Sequence, residues 1–341
     1  MRLNRARLGM ATSMGALLLV STPAAAQDTA TFVDLTGEVG YATNPFLRLD
    51  GDGSGFGRLS AYAAHTRTGE RSLTSFSAYV ENSTYLEDYG SKQIFDLNAR
   101  TEHQTSEKVR IFGSAGFSGD FSGQLSNRFV TVPTAPDVSD QPGPLPVPDT
   151  VVDPDLFAFT GRQYRLRGQV GASIRASERG TVTVSAGAQR IFYSDDFLDD
   201  YTVFSADAGY NRLLSERTTV GGRIGIWRAE YDGGGGHTTV INPQLTFRRR
   251  FSDTVDASGA IGLSFADQNR PGFNDRSTNL SLDGALCRTT EFERLCGRVS
   301  RYANSSGAGS LVTTTSAGVD WFKRFDEAQT VQLSASVVRY A

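Results

Sequence analysis

Few residues of this chain have side chains that could carry out chemistry on their own. Its 341 residues include two cysteines and three histidines. Cys287 and Cys296 lie on either side of a polar turn around Glu291. A disulfide that closes this hairpin is one prediction, and two free thiols are the alternative. No histidine lies near the two cysteines, and two ligands do not make a zinc site, so no metal is expected.

The histidines do not belong to any recognisable catalytic arrangement. His65 and His103 fall on predicted strands, and His237 falls in a predicted glycine-rich loop. A catalytic nucleophile needs a base within hydrogen-bond reach, and no spacing in this sequence predicts such a pair. The sequence therefore predicts no catalytic residues, no cofactor and no enzyme activity.

The charged residues are more informative, because many of them alternate with apolar residues. From Gln163 to Arg175, charged and amide side chains occupy one set of alternate positions and apolar side chains occupy the other. A mixed-sign polar face suits the lining of a wet pore; salt bridges inside a narrow or plugged barrel are the alternative. Glu38 and Asp283 fall on the same kind of face. The candidate pore-lining residues are Arg165, Arg167, Arg175, Arg223, Arg248, Asp207 and Asp256.

Strict alternation indicates β-strands with one wet and one apolar side. These strands run for ten to thirteen residues, whereas strands of soluble proteins usually have about 5–6 residues and tilted membrane strands about 9–11. A soluble sandwich or a lipocalin-like barrel is the alternative. Aromatic residues near the strand ends suit the interfacial girdles of a membrane barrel. They are Tyr41, Phe117, Tyr164, Tyr210, Phe247, Phe265 and Trp321.

A short polar turn recurs along the chain at intervals of 36 to 38 residues, with one interval of 71. Each interval holds two long strands, which indicates hairpins and not the four-stranded blades of a propeller. Fifteen strands are predicted, beginning near residues 32, 56, 73, 93, 109, 160, 181, 201, 219, 238, 254, 277, 294, 311 and 330. Bacterial barrels normally have an even number, and the chain ends at Arg339-Tyr340-Ala341 without a terminal phenylalanine. Either a last strand is missing or the count is wrong by one. The predicted fold is an all-β, antiparallel, up-and-down transmembrane β-barrel of about 16 strands.

The N-terminus has the three parts of a secretory signal peptide. Arg2, Arg5 and Arg7 precede a short apolar run, and small residues follow at positions 24–26. We therefore predict a signal peptide over residues 1–26 and a single barrel domain over 27–341. Removing the three arginines leaves 31 basic and 37 acidic residues, a net charge of −6, which gives no nucleic-acid footprint. The mean hydropathy of −0.30 and the lack of a long apolar run exclude a helical membrane protein.

Residues 125–155 are rich in proline and aspartate, a composition that favours extended or disordered chain. The up-down order of the predicted strands places this segment outside the cell. A solvated surface loop is the preferred interpretation, and a loop folded into the lumen is the alternative.

The segment from Gly37 to Phe46 reads GEVGYATNPF. It resembles the first strand of the β-barrel porin 2 family, which typically carries Gly-Tyr-Asp-x-Asn-Val/Pro-Phe soon after the signal peptide. Ala42 stands where that family usually has an acidic residue. Residues 77–85 also resemble the second hairpin of the family. The resemblance implies a porin-like barrel in the outer membrane of a Gram-negative bacterium, and it supplies no catalytic residues.

Three functions are compatible with such a barrel. The first is a porin-like channel for passive diffusion of small polar solutes. The second is an outer-membrane component of surface-polysaccharide export or assembly, and the third is a closed structural or adhesive barrel. The expected partners are outer-membrane lipid and lipopolysaccharide and the barrel-assembly machinery. A homotrimer is possible for such a barrel, but no feature of the sequence indicates a subunit interface.

Overall fold

The computed structural model describes residues 28–42, 53–86, 90–121, 161–194, 198–305, 311–325 and 329–340. The predicted signal peptide and the proline-rich segment 125–155 lie outside these residues. The described part contains fifteen β-strands. They are β1 Asp28–Ala42, β2 Ser54–Gly69, β3 Ser72–Tyr85, β4 Ser91–Gln104, β5 Val109–Phe121, β6 Arg162–Ser177, β7 Gly180–Tyr193, β8 Tyr201–Ser215, β9 Thr218–Tyr231, β10 His237–Arg250, β11 Val255–Arg270, β12 Phe273–Thr289, β13 Glu293–Ser305, β14 Leu311–Arg324 and β15 Thr330–Tyr340.

All fifteen strands belong to one sheet, and each strand pairs with its neighbours in sequence order. Every pair is antiparallel, from β1–β2 through to β14–β15. The prediction of an all-β, antiparallel, up-and-down architecture is therefore confirmed. Within the described residues β1 and β15 are the two outermost strands of the sheet. No helix in this part of the chain is long and apolar enough to cross a membrane.

The two ends of the sheet carry different connections. At one end, which we call the turn end, the chain turns at 70–71, 105–108, 178–179, 216–217, 251–254 and 290–292, and β14 and β15 are joined at the same end. Hydroxyl groups stabilise several of these turns. Ser106 Oγ accepts hydrogen bonds from the backbone N–H groups of Lys108 and Val109, and Ser252 Oγ does the same for Thr254 and Val255. Such side-chain-to-backbone bonds favour turns, which explains the recurring polar turn of the sequence.

The opposite end, the loop end, carries mostly longer connections, with one exception. Strands β11 and β12 are joined there by Pro271 and Gly272 alone. Gly272 has φ = 76°, and proline followed by a glycine with positive φ is the sequence of a type II turn. This short turn lets β12 begin at Phe273, four residues before the predicted start. The prediction missed these residues because residues 274–276 are polar and show no hydrophobic alternation.

One face of the sheet is apolar on every strand, and the registers show it to be continuous. Leu35 pairs with Ala61, Ala61 with Val80, and equivalent apolar pairs follow across the sheet as far as β15. We call this the apolar face. Its large side chains are exposed, with Leu35 at 72% and Leu245 at 70% relative accessibility. A soluble domain does not leave such a continuous apolar surface in water.

The opposite face, which we call the polar face, shows the reverse burial. Ser54, Ser264 and Ser281 on this face are at most 2% exposed. Glu81, also on this face, is 2% exposed. Polar groups that are removed from solvent while apolar groups remain exposed give an inside-out distribution. The sheet is therefore organised for an apolar surrounding on one side and a polar surrounding on the other.

Candidate functional site: the polar face

All seven predicted pore-lining residues lie on the polar face, as the strand registers show. They fall into three groups along the strands. Arg165 and Arg167 lie on β6 towards the loop end, and Asp207 and Arg223 lie near mid-strand on β8 and β9. The remaining three lie towards the turn end on β6, β10 and β11. They are Arg175, Arg248 and Asp256.

Arg167 is held by the neighbouring wall of the sheet. Its guanidinium donates a hydrogen bond to Asn98 Oδ1, and its Nη2 lies 3.9 Å from Asp96 Oδ2. The Asn98 side chain in turn donates to Asp96. These contacts hold the Arg167 guanidinium against the polar face of β4–β6, across Gly116 of β5.

A second charged cluster lies on β1–β3, and sequence reasoning had singled out only Glu38 of it. Arg58 Nη1 lies 2.6 Å from Glu38 Oε2, and Arg58 Nε lies 3.2 Å from Glu81 Oε1. Tyr79 donates a 2.6 Å hydrogen bond to Glu81, and Ser83 donates one of 2.7 Å. Glu81 is thus a buried carboxylate with several donors, as a buried charge requires. Its alternation with Tyr79 and Ser83 is the period-two signal that could have identified it.

The third feature is a group of side chains around Gly225, at the middle of the polar face. Gly225 lies between Arg223 and Trp227 on β9, and its register partners are Asp207 on β8 and Asn242 on β10. A Cβ atom on Gly225 would come within 2.7 Å of Asp207 Oδ1. The Asp207 carboxylate therefore occupies the space that a side chain at position 225 would need.

Some of the polar groups around Gly225 are paired within the protein. Arg223 Nε donates to Gln244, and Asn242 Nδ2 donates to Ser281 Oγ over 3.1 Å. Asn242 Oδ1 is buried and has no hydrogen-bond partner. Asp207 and Arg223 are close enough to interact electrostatically, but Asp207 makes no hydrogen bond or ion pair within the described part of the chain.

Between Gly225 and the loop end, several apolar and aromatic side chains form a cluster on the polar face. Ile191, Tyr201, Ala229 and Tyr231 are all at most 6% exposed, and Trp227 packs against them. The rings of Tyr201 and Tyr231 are 5.2 Å apart, within the range of favourable aromatic pairs. The cluster gives one side of Trp227 a rigid support.

An ion pair links strand β7 to the connection that follows β9 at the loop end. Arg190 Nη1 donates to Asp232 Oδ1 over 2.9 Å, and Tyr193 N donates to Asp200 Oδ1 over 2.9 Å. Asp232 lies in the connection after β9, where residues 232–234 form a 3-10 turn. The hydrogen bond from the Arg190 guanidinium lowers the pKa of the Asp232 carboxyl below its ordinary value.

The two cysteines face each other across the β12–β13 hairpin at the turn end. Cys287 and Cys296 are direct register partners and form a disulfide with a Cα–Cα distance of 4.1 Å. The bond lies on the polar face, and Cys296 is 1% exposed. It closes the hairpin beside the predicted pore-lining residue Asp256, which pairs with Cys287.

The three histidines lie on the apolar face and remain far apart in the register. His65 Nδ1 is 2.9 Å from the hydroxyl of Thr31. His237 is the first residue of β10 and is not part of the preceding glycine-rich connection, which corrects its predicted position. Within the described ranges no three side chains of His, Cys, Asp or Glu come together as metal ligands.

Comparisons with known proteins give structural likeness alone. No family model matches the chain, and no curated protein matches it. The copper transporter OprC superposes with a TM-score of 0.47 at 10% identity, over 91% of this chain and 57% of OprC. The ferric citrate transporter FecA superposes with a TM-score of 0.46 at 8% identity, over 94% of this chain and 52% of FecA. This chain thus spans little more than half the length of either protein.

A further similar structure is an outer membrane channel from Pseudomonas putida F1. It superposes with a TM-score of 0.39 at 12% identity, over 78% of this chain and 96% of the channel. At such identities the likeness concerns the fold, and the function of this chain has to be argued from its own residues.

Proposed function

We propose that this chain is a transmembrane β-barrel of the bacterial outer membrane and that its lumen is a channel for passive diffusion of small polar solutes. The observation that carries the proposal is the inside-out sheet. A continuous apolar face is exposed on all fifteen strands, whereas charged and amide side chains occupy the other face. In a bilayer the apolar face would contact lipid, and the polar face would line a wet interior.

Closure of the sheet is part of this proposal. Unpaired backbone groups at a sheet edge cost several kcal/mol each in hydrocarbon, so sheets cross membranes only as closed barrels. The predicted signal peptide agrees with export from the cytoplasm. Outer-membrane lipid, lipopolysaccharide and the barrel-assembly machinery are the partners that such a protein needs. Membership of the β-barrel porin 2 family is proposed on the segment from Gly37 to Phe46, of which Gly37 to Ala42 complete β1.

The side-chain chemistry supports a channel in preference to an enzyme. Several charged groups of the polar face are paired with one another or with amides, as in the Arg58–Glu81 and Arg167–Asp96 contacts. Nothing in these pairs forms a nucleophile and base. Fixed charges of both signs position ions and polar solutes along a pore wall.

Single-channel conductance of the refolded protein in a planar bilayer tests the proposal. Stable ohmic steps are expected, with a reversal potential in a salt gradient that shifts towards anion selectivity if the arginines of β6 dominate. The fold of the sample is checked by its faster migration in unheated detergent gels. A folded protein that shows no conductance would overturn the passive channel and favour polymer export with partner proteins or a closed structural barrel.

A further inference from the structure

We infer that a row of basic side chains on the apolar face, close to the turn end, binds the phosphate groups of anionic phospholipids. We call this row the basic rim. Four consecutive hairpins each contribute one residue to it. They are Arg212 on β8, Arg249 on β10, Arg288 on β12 and Lys323 on β14. The inference rests on the proposed function, because it requires that lipid surrounds the apolar face, and it adds the class of lipid and the residues that select it.

The strand registers place the basic rim on the apolar face, directly beyond its apolar side chains. Each of the four residues pairs with an apolar residue of the next strand. The pairs are Arg212–Val220, Arg249–Ala257, Arg288–Val255 and Lys323–Val331. Two residues earlier on its own strand, each is preceded by an outward-facing aromatic or aliphatic residue. These are Tyr210, Phe247, Leu286 and Trp321. Two residues span about 7 Å of a strand, so the cations lie at headgroup depth when the apolar residues contact lipid chains.

Neighbouring carboxylates do not neutralise the basic rim. None of its four side chains forms an ion pair within the described residues. Asp253, in the turn after β10, is taken by another cation, since its Oδ1 lies 3.6 Å from Arg217 Nη2. Glu293, which faces outwards near Lys323, accepts a 2.8 Å hydrogen bond from Trp321 Nε1. The four positive charges therefore remain available to an external anion.

Arginines near the loop end of the same face provide a contrast on the same strands. On β9, Arg228 Nε lies 2.9 Å from Glu230 Oε1. On β12, Arg276 Nε lies 3.2 Å from Asp267 Oδ2 of the adjacent strand. These two arginines are balanced by carboxylates, whereas the basic rim is not.

Two cations of the basic rim lie over exposed aromatic rings. Arg249 Cζ is 5.3 Å from the ring centroid of Phe251, and Lys323 Nζ is 5.1 Å from that of Phe325. Both distances are within the range of cation–π contacts. The two rings are 54% and 56% exposed. Such pairs suit a membrane–water interface, where the apolar part meets lipid chains and the charge stays among the headgroups.

The spacing of the basic rim fits a layer of headgroups better than a single bound ion. Successive members are two strands apart, which is about 10 Å at the usual strand spacing. Arg212, Arg249 and Arg288 are exposed, and Lys323 is half-buried. A guanidinium offers phosphate two parallel N–H donors, and each basic residue at a membrane surface favours anionic lipid by about fivefold. The basic rim therefore selects phospholipids with a net negative headgroup.

Trp321 is a suitable reporter, because it faces outwards two residues from Lys323. In the Trp227→Phe variant it is the only tryptophan of the chain. This variant is refolded into vesicles with equal parts of phosphatidylglycerol and phosphatidylcholine, one of which carries brominated chains that quench tryptophan. Stronger quenching by brominated phosphatidylglycerol is expected, and high salt should reduce the difference because it screens the charges. Trp227→Tyr is the second background if the first variant folds poorly.

The assignment to Lys323 is tested in the same background. Lys323→Gln is expected to lower the preference for phosphatidylglycerol at Trp321 by about fivefold, and Lys323→Arg is expected to retain it. The matched control is Arg228→Gln, which removes the same charge from the apolar face near the loop end and should leave the preference unchanged. An equal loss in Lys323→Gln and Arg228→Gln would show that net charge alone decides, and it would overturn the assignment.

The outcomes separate this inference from the proposed channel. Conductance together with equal quenching by the two brominated lipids overturns the basic rim and leaves the channel intact. A preference for phosphatidylglycerol without conductance supports the basic rim while the passive channel fails. A folded sample that neither brominated lipid quenches shows that the apolar face does not contact lipid, and it overturns both.

Discussion

The disulfide between Cys287 and Cys296 allows a quantitative prediction, because its effect depends on a known loop length. The two residues are separated by 9 positions in the sequence, so the bond closes a loop of roughly ten residues. The chain-entropy relation gives about 2.7 kcal/mol for such a loop at 25 °C. We expect reduction of the bond to lower the free energy of unfolding by about this amount, or about a hundredfold in the unfolding equilibrium constant.

The assay is urea unfolding of the protein refolded into lipid vesicles, followed by tryptophan fluorescence, with and without a membrane-permeant reductant. Comparing oxidised and reduced wild-type protein leaves the sequence unchanged, so the cross-link is the one difference. The Cys287→Ala/Cys296→Ala double variant is the control and should not respond to the reductant. If oxidised and reduced protein unfold at the same urea concentration with equal slopes, the entropic reasoning fails for this hairpin.

Three further predictions concern the two faces and the loops. Leu280→Arg on the apolar face should lower the free energy of unfolding by about 2–4 kcal/mol in the same assay, because Leu280 lies mid-strand where it would contact lipid. Asn279→Arg on the polar face is the matched control. An equal loss in both variants contradicts the assignment of the two faces. Gly262→Ala should destabilise the protein by about 1–3 kcal/mol, because the added Cβ would overlap the carbonyl oxygen of Pro243. Gly297→Ala is the matched control and should be close to neutral, because nothing lies within 4 Å of a Cβ there. Similar losses in the two variants would show that the lack of space at position 262 does not determine the stability. Asp232→Asn should lower the thermal midpoint slightly at neutral pH, and the difference from the wild type should shrink at acidic pH. The folded pKa of Asp232 is lowered, so its contribution to stability is present above the unfolded pKa of about 3.9 and is lost as pH falls through the folded pKa. A difference in midpoint that does not shrink as pH falls argues against the ion pair.

Much of the fold could be predicted from alternation alone. Thirteen of the fifteen strands begin within two residues of their predicted starts, and β1 and β12 begin four residues earlier than predicted. Long strands with a strict period of two leave little freedom in the choice of register, because a shift by one residue would place every side chain on the wrong face. The early start of β12 was missed because its first residues are polar at the loop end, where neither face needs apolar side chains.

The contents of the polar face were harder to predict. Alternation assigned Arg223 and Asp207 to this face, but their proximity depends on a diagonal between two strands, which requires the register. Trp227 was not identified, because aromatic residues were expected at strand ends facing outwards, whereas Trp227 points to the interior beside a glycine. The reason for a glycine at position 225 is visible only in the structure, where Asp207 lies within contact distance of the position that a Cβ would take.

The close approach of Pro243 and Gly262 has a consequence for how the sheet assembles. Pro243 lies inside β10 and has no N–H to donate to a neighbouring strand. Its carbonyl oxygen lies so near the Gly262 backbone that no larger residue fits opposite it. If β10 and β11 slid by one residue, Ile261 or Leu263 would meet this oxygen. The proline and glycine together therefore favour one alignment of β10 and β11 and disfavour a shift by one residue in either direction.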